Sequence, residues 1–146
     1  MEQPPAGSVL LDRIRELKEA DVLILGSLPA KIVQLWTNDA GNQAIVLIGN
    51  RRFHYLERHP EMYTWEGLLV ATVFDPDEVH RNRHDPHVAL FYRRLDEDHY
   101  LRVAVLMQPR KNVLKHSILS YRLARVSEVI EQSERRVWKS KREQDG

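Results

Sequence analysis

The segment Phe53–Met62 brings together three side chains that can handle protons and phosphate groups, namely His54, Arg58 and His59. The unperturbed pKa of histidine, roughly 6.5, lets an imidazole accept or donate a proton near neutral pH. An arginine guanidinium binds phosphate oxygens through paired N–H donors. The segment is therefore a candidate for acid–base chemistry on a phosphate-bearing substrate, and a capping or packing role for His59 at a helix end is the alternative.

A short helix is expected to position these side chains. Asn50 is suited to cap a helix that runs to about Arg58, and Pro60 disfavours a helical backbone at His59, so His59 falls at or just past the helix end. Residues five apart on an ideal helix point about 140° apart at about 100° per residue. His54 and His59 are therefore expected to converge only if the helix ends between them, which makes them a poor pair of metal ligands.

An antiparallel hairpin is expected where two apolar runs, 88–95 and 100–107, flank the polar residues 96–99. Side chains alternate between the two faces of a strand. Leu101, Val103, Val105 and Met107 share one face, so Arg102 is expected on the other face and outside the core.

A further strand is expected at about 117–123. Its two-residue period places Ser120 and Arg122 on one face together with Ile118, opposite Leu119, Tyr121 and Leu123. A hydroxyl and a guanidinium are thereby expected side by side on a sheet surface, where both can bind an anion.

The rest of the chain is expected to supply supporting elements. They are a helix from Ser8 to about Ala20, a strand at Val22–Leu25, a hairpin of strands 31–36 and 43–48, a helix from Trp65 to about Phe74, and a last helix that starts at Ser127 and includes Val137 and Trp138.

Composition narrows the class of protein. With 146 residues and 42% hydrophobic residues, the chain can bury one core, so one domain is expected. It has no cysteine, which excludes disulfides, thiolate zinc sites and a cysteine nucleophile. The first residues show no signal-peptide pattern and no apolar stretch approaches about 20 residues, so we expect a cytoplasmic protein without a membrane span.

Charge is unevenly distributed although the net charge is only +1. A basic stretch without acidic residues contains Arg110, Lys111, Lys115, Arg122 and Arg125. Such a stretch either holds phosphates or is a solvated face.

His80, His84 and His87 form a second group of histidines, with Asp85 between them. Their spacings of four and three would share a helix face, but Pro86 argues against a helix there. A polar loop is therefore expected rather than a metal site.

The run from about Phe53 to Arg125 resembles phage-associated members of the barnase, EndoU, colicin and RelE superfamily of ribonuclease domains. The likeness lies in four short segments. They are Arg58-His59-Pro60-Glu61, the break Asp75-Pro-Asp-Glu-Val79, the paired runs Leu90-Phe-Tyr-Arg-Arg94 and Tyr100-Leu-Arg-Val-Ala-Val105, and the last strand Ser117-Ile-Leu-Ser-Tyr-Arg122.

The resemblance implies a single α+β domain with helices packed on an antiparallel sheet. On this view residues of about 50–125 form a nuclease-like core, residues 1–49 form an N-terminal helix and hairpin extension, and residues 139–146 form a flexible tail.

The resemblance also implies a metal-independent endoribonuclease, toxin-like or RNA-processing, that uses the ribose 2′-hydroxyl as the nucleophile and needs no cofactor. His59 would be the acid or base, with His54 in reserve. Phosphate would be held by Arg58, Arg102 and Arg122, with Ser120 donating a hydrogen bond.

The alternative is a catalytically silent module of the same fold that binds RNA or a protein. The partners expected are RNA and, for a toxin-like enzyme, an inhibitor or immunity protein. The apolar hairpin at 31–48 is a candidate interface for a homodimer.

Overall fold

A seven-stranded sheet forms the centre of the protein, and most of the helices pack against one of its faces. The computed structural model describes residues 6–37, 43–107 and 115–141, with side chains from residue 9 onward. The helices are α1 (Ala6–Arg15), α2 (Ala30–Val33), α3 (Gly49–Arg58), α4 (Leu69–Phe74) and α5 (Val126–Glu131), and two 3₁₀ helices span Pro60–Leu68 and Ser133–Arg135. The strands are β1 (Val22–Ser27), β2 (Ala44–Ile48), β3 (Glu78–Arg81), β4 (Val88–Arg94), β5 (His99–Leu106), β6 (His116–Arg125) and β7 (Arg136–Lys139).

The strand order is β1-β2-β6-β5-β4-β3-β7, and every neighbouring pair is antiparallel except β2 and β6. The parallel pairing is short, with Ile45 opposite His116 and Val46 opposite Ser117. The protein is therefore an α+β domain with a mostly antiparallel sheet, as the sequence predicts. Within the described residues, no helix is long and apolar enough to cross a membrane.

Two apolar clusters lie on opposite faces of this sheet. The face that carries the helices, called here the inner face, contains Phe91, Leu101, Val103 and Val105 in contact with side chains of α1, α2 and α4. The other face, the outer face, carries a smaller cluster. Its members are Val88, Leu90, Tyr92, Tyr100, Ala104, Ala124 and Val129. The predicted alternation along β5 is confirmed, and Arg102 lies on the outer face.

The predicted hairpin of 31–36 and 43–48 is wrong. Residues 30–33 form the short helix α2, in which the amides of Ile32 and Val33 bond the carbonyl of Pro29. A short apolar run fits a buried helical turn as well as a strand, and the sequence period does not separate the two. The second half is correct as a strand, β2, but it pairs with β1. Most of the predicted turn lies outside the described residues.

The predicted last helix is also wrong beyond its first turns. Helix α5 ends at Glu131, and Val137 and Trp138 lie in β7, where Trp138 pairs with Val79. Strand β3, which pairs with β7, is short and was not predicted from the sequence.

Three further details differ from the prediction: a helix end, a helix type and a strand register. Helix α1 ends at Arg15, earlier than the expected Ala20. The expected helix 65–74 is a 3₁₀ helix through Leu68 followed by α4. A register shift opposite Ala104 and Val105 makes Leu119 the extra residue of a bulge, so Ile118 packs in the inner cluster and not beside Ser120 and Arg122.

Candidate functional site

The position of α3 is fixed where β2 ends. The amide of Gly49 donates to the carbonyl of Asp21 at 2.8 Å, and a Cβ at residue 49 would lie 2.0 Å from the carbonyl oxygen of Lys18. A side chain is therefore excluded at this junction, and the glycine lets α3 start directly against the segment that follows α1.

One side of α3 is held by a buried polar network. Arg52 donates from Nε and a terminal nitrogen to the carboxylate of Glu66 at 2.7 and 2.8 Å, and the Tyr121 hydroxyl donates to Glu66 at 2.5 Å. All three residues are buried. Burial and the hydrogen bond to Glu66 raise the pKa of Tyr121, so it stays a donor. The network joins α3, the first 3₁₀ helix and β6.

Other side chains of α3 line a pocket of about 270 Å³ that is open to solvent. Its lining consists of Arg51, His54, Tyr55, Arg58, His59 and Leu119. We call this the α3 pocket. It brings together three residues that the sequence singled out, His54, Arg58 and His59, and it adds Arg51 as a second guanidinium.

The end of the helix explains how the two histidines come to share a pocket. Helix α3 ends at Arg58, and His59 has an extended φ of −133° and ψ of 62°. Its amide still donates to the Tyr55 carbonyl at 2.9 Å, and its ring lies 4.9 Å from the Tyr55 ring. Helix α3 thus ends between the two histidines, which is the condition under which their side chains were expected to converge.

Each imidazole has a carboxylate nearby. Nδ1 of His59 lies 3.6 Å from Glu61, and the His54 nitrogens lie 3.8 Å from Glu57 and 3.9 Å from Glu19. The two imidazoles are 51% and 63% exposed, so both remain accessible to a ligand from solvent.

Tyr55 forms the inner wall of the α3 pocket and also stabilises the sheet. Its hydroxyl donates to the Tyr121 carbonyl, and its ring lies 4.8 Å from the Tyr121 ring. Burial raises the pKa of Tyr55, partly offset by that hydrogen bond and by the charges of Arg102 and Arg122. The hydroxyl is therefore protonated at neutral pH and serves as a donor to β6.

Arg102, Ser120 and Arg122 do not line the α3 pocket. They lie on the outer face, where Arg102 is opposite Arg122 and Ser120 is opposite Ala104. Arg122 is paired with Glu128 of α5, and it also donates to the Leu123 carbonyl at 3.1 Å. The hydrogen bond from Arg122 is the main cause that lowers the pKa of Glu128.

Two polar groups on the outer face are notable: one belongs to Arg102, a predicted site residue, and the other to Tyr92, which was not predicted as one. The hydroxyl of Tyr92 and Nε of Arg102 are buried and have no hydrogen-bond partner among the described residues. Tyr92 is opposite Arg102 in the β4–β5 register. Tyr92 lies in the same apolar cluster as Leu90, and nothing in the sequence indicates that its hydroxyl has no partner.

The remaining histidines do not form a cluster. His80 is buried on β3 with Nε2 3.0 Å from Glu78, whereas His84 and His87 lie in the exposed turn before β4. In the part of the chain that the structure describes, no group of three or more histidine, aspartate or glutamate side chains is placed to hold a metal ion. Of the basic stretch, Arg110 and Lys111 lie outside the described residues.

Comparison of the chain with protein-family models, with curated proteins and with solved structures gives no match. The site must therefore be interpreted from its own geometry.

Proposed function

We propose that the α3 pocket binds a phosphodiester of RNA and cleaves it without a metal ion. The observation that carries this proposal is the shared lining of the pocket: two imidazoles and two guanidiniums open to solvent in a volume of about 270 Å³. Cleavage of this kind needs a group that removes a proton, a group that returns one, and cations for the phosphate. The four side chains supply all of these.

The reaction requires no nucleophile from the protein. One imidazole removes the proton of the ribose 2′-hydroxyl, whose oxygen attacks the adjacent phosphorus. The bond from phosphorus to the 5′-oxygen breaks, and the second imidazole gives that oxygen a proton. The products are a 2′,3′-cyclic phosphate and a free 5′-hydroxyl. Arg51 and Arg58 neutralise the charge that develops on the phosphate oxygens.

The same proposal places this α+β domain in the barnase, EndoU, colicin and RelE superfamily. It is supported by an antiparallel sheet with helices packed on one face and by the position of the Arg58-His59 segment at a helix end. A cytoplasmic location and an inhibitor or immunity protein as partner belong to this proposal.

A second candidate is a silent module that binds RNA through the α3 pocket. It is favoured by the separation of Arg102, Ser120 and Arg122 from the histidines, because three of the groups expected to hold the phosphate lie outside the pocket.

Incubation of purified protein with transfer RNA and total RNA in EDTA decides between the two. We expect cleavage that leaves a cyclic phosphate, and a loss of roughly 100-fold or more in rate in His59→Ala, the usual scale for an acid–base group. The matched control is His84→Ala, since His84 is an exposed loop histidine far along the chain from α3.

Equal cleavage by wild type and His59→Ala would reject the catalytic role of His59. RNA binding that weakens with salt and in Arg58→Gln, with no cleavage, would support the silent module. Cleavage that EDTA abolishes and zinc restores would contradict metal independence.

A further inference from the structure

The outer face carries a row of ionisable side chains that runs directly across neighbouring strands. Glu78 of β3 is opposite Tyr92 of β4, Tyr92 is opposite Arg102 of β5, and Arg102 is opposite Arg122 of β6. Residues directly opposite each other have their Cβ atoms about 4.5–5.5 Å apart, so neighbours in such a row interact.

The arginine pair in this row is unfavourable as it stands. Like charges directly opposite each other destabilise a sheet. Glu128 pairs with Arg122, but the largest charge effect on Arg102 is the repulsion from Arg122. Burial and that repulsion lower the pKa of Arg102. Within the described part of the chain, the positive charge of Arg102 is therefore not fully balanced by a neighbouring negative charge.

Two buried donors, on residues that are opposite each other in β4 and β5, have no acceptor among the residues that the structure describes. Nε of Arg102 is buried without a partner, and so is the hydroxyl of Tyr92, whose side chain is fully buried. Burial raises the pKa of Tyr92 to about 12, so the hydroxyl carries its proton at neutral pH. A buried donor without a partner costs free energy comparable to a lost hydrogen bond, and an acceptor from outside the chain removes that cost.

We propose that Arg102 and Tyr92, with Arg122 beside them, form a second anion site on the outer face that binds a phosphate group. The partly exposed guanidinium of Arg102 supplies charge-assisted donors. The Tyr92 hydroxyl has no exposed surface, so it supplies a neutral donor only when the Arg102 side chain shifts to admit the phosphate. None of these three residues lines the α3 pocket, and phosphate binding by them does not require RNA cleavage there. The ligand of this second site is either a free phosphate or phosphomonoester, or a phosphodiester of a nucleic acid backbone.

Phosphate binding is measured directly with inorganic phosphate as the probe. In an NMR titration, the Nε–H signal of Arg102 is expected to shift and saturate. In calorimetry, Arg102→Gln and Tyr92→Phe are expected to weaken binding at this site by about tenfold and about threefold, since hydrogen bonds to a charged group are worth more than neutral ones. The double variant Arg51→Gln/Arg58→Gln is used as the background, because it removes both guanidiniums of the α3 pocket.

The matched control is Arg93→Gln. Arg93 follows Tyr92 on β4, points to the opposite face and is paired with Asp75 at 2.9 Å. We expect phosphate binding to change less than twofold in this variant. Circular dichroism and thermal unfolding without phosphate confirm that each variant is folded.

A second titration with dimethyl phosphate separates the two sources. A shift of the Arg102 signal by both probes supports a site for phosphodiesters, and a shift by inorganic phosphate alone supports a site for phosphate or phosphomonoesters. The proposal is overturned if neither probe shifts the signal saturably, or if Arg93→Gln weakens binding as much as Arg102→Gln. A result here is independent of whether the α3 pocket cleaves RNA.

Discussion

At the scale of single residues, Glu66 holds the α3 pocket in place although it does not line it. Its carboxylate is fully buried and is satisfied by Arg52 and Tyr121. A buried charge is tolerated only when it is paired and hydrogen-bonded. The local order of the pocket therefore depends on a contact between residues that do not line it.

Removal of Arg52 is expected to be costly. Arg52→Met leaves the Glu66 carboxylate buried without its cation, and breaking a buried ion pair in this way costs about 3–5 kcal/mol of the free energy of unfolding. Urea denaturation of wild type and variant measures this loss. Arg51→Met, on the same helix but exposed, is expected to change stability by no more than about 0.5 kcal/mol. Equal losses in the two variants would contradict the role of the network.

Some of the site could be predicted from single residues and some could not. Pro60 correctly indicated that the helix ends before His59, and this end is what brings His54 and His59 into one pocket. The buried pair of Arg52 and Glu66 could not be predicted, because an arginine next to Arg51 and a glutamate in an apolar segment resemble ordinary solvated side chains. Their pairing depends on how two elements pack, which no local pattern records.

At the scale of elements, the junction of β2 and α3 decides where the pocket forms. Gly49→Ala would place a Cβ 2.0 Å from the Lys18 carbonyl oxygen, so the backbone must move. We expect a loss of about 1–3 kcal/mol in the free energy of unfolding, the usual cost of overpacking.

Gly67→Ala is the matched comparison for that substitution. Its Cβ would meet only the Leu11 side chain, at an ordinary 3.5 Å. We expect it to be neutral or to stabilise by up to about 1 kcal/mol, since alanine reduces the entropy of the unfolded chain. Thermal unfolding of both variants tests the pair, and a Gly49→Ala protein as stable as Gly67→Ala would show that the junction is not constrained.

The attachment of β7 to β3 is expected to depend on pH. Burial alone would raise the pKa of Glu78, but the hydrogen bond from His80 and the charges of His80 and Arg136 lower it overall, below its ordinary value of 4.5. A carboxylate with a lowered pKa contributes stability that is complete above its unfolded-state pKa and is lost as the pH falls through the folded-state pKa.

We therefore expect Glu78→Gln to be less stable than wild type at pH 7, and we expect the difference to shrink as the pH falls from about 4.5. Melting temperatures measured from pH 7 to pH 3 follow this convergence. Glu97→Gln, in the exposed turn before β5, serves as the control. A Glu78→Gln protein that differs from wild type by the same amount at every pH would reject the assignment.

The elements that were predicted correctly share long, regular patterns. Strands β4 and β5 are mostly apolar runs of seven and eight residues, are buried along most of their length, and are joined by a polar turn. The elements that were predicted wrongly are short, since α2 and β7 have four residues each. Four residues span about one helical turn or two strand repeats, so the two periods cannot be told apart, and their partners in space decide the structure.

At the scale of the whole molecule, the segment 1–49 shares its core with the rest of the chain. Ile14, Leu25 and Ile32 are buried in the same cluster as Phe91 and Leu101. Strand β2 also joins the sheet directly through β6. The described residues before Asn50 therefore bury much of the inner face, and they do so through β1, α2 and β2 as well as α1.

A fragment that starts at residue 50 is expected not to fold cooperatively. Removal of the segment before residue 50 would expose the inner-face side chains that α1, α2, β1 and β2 cover. The free energy of unfolding of a small domain is only about 5–15 kcal/mol, so this exposure is expected to prevent folding. Circular dichroism during heating checks this, with the full chain as reference. A fragment with a sharp thermal transition would show instead that the remaining strands and helices are sufficient.

The hydrogen bond from Tyr55 to Tyr121 has a consequence for the behaviour of concentrated solutions. Among the described residues, β2 pairs with β6 only at His116 and Ser117. Further along the same edge, α3 reaches β6 through the Tyr55 hydroxyl, which donates to the Tyr121 carbonyl. An uncovered edge is a template on which another chain can add a strand. Conditions or variants that detach α3 are therefore expected to make the protein self-associate, at a rate that rises with protein concentration.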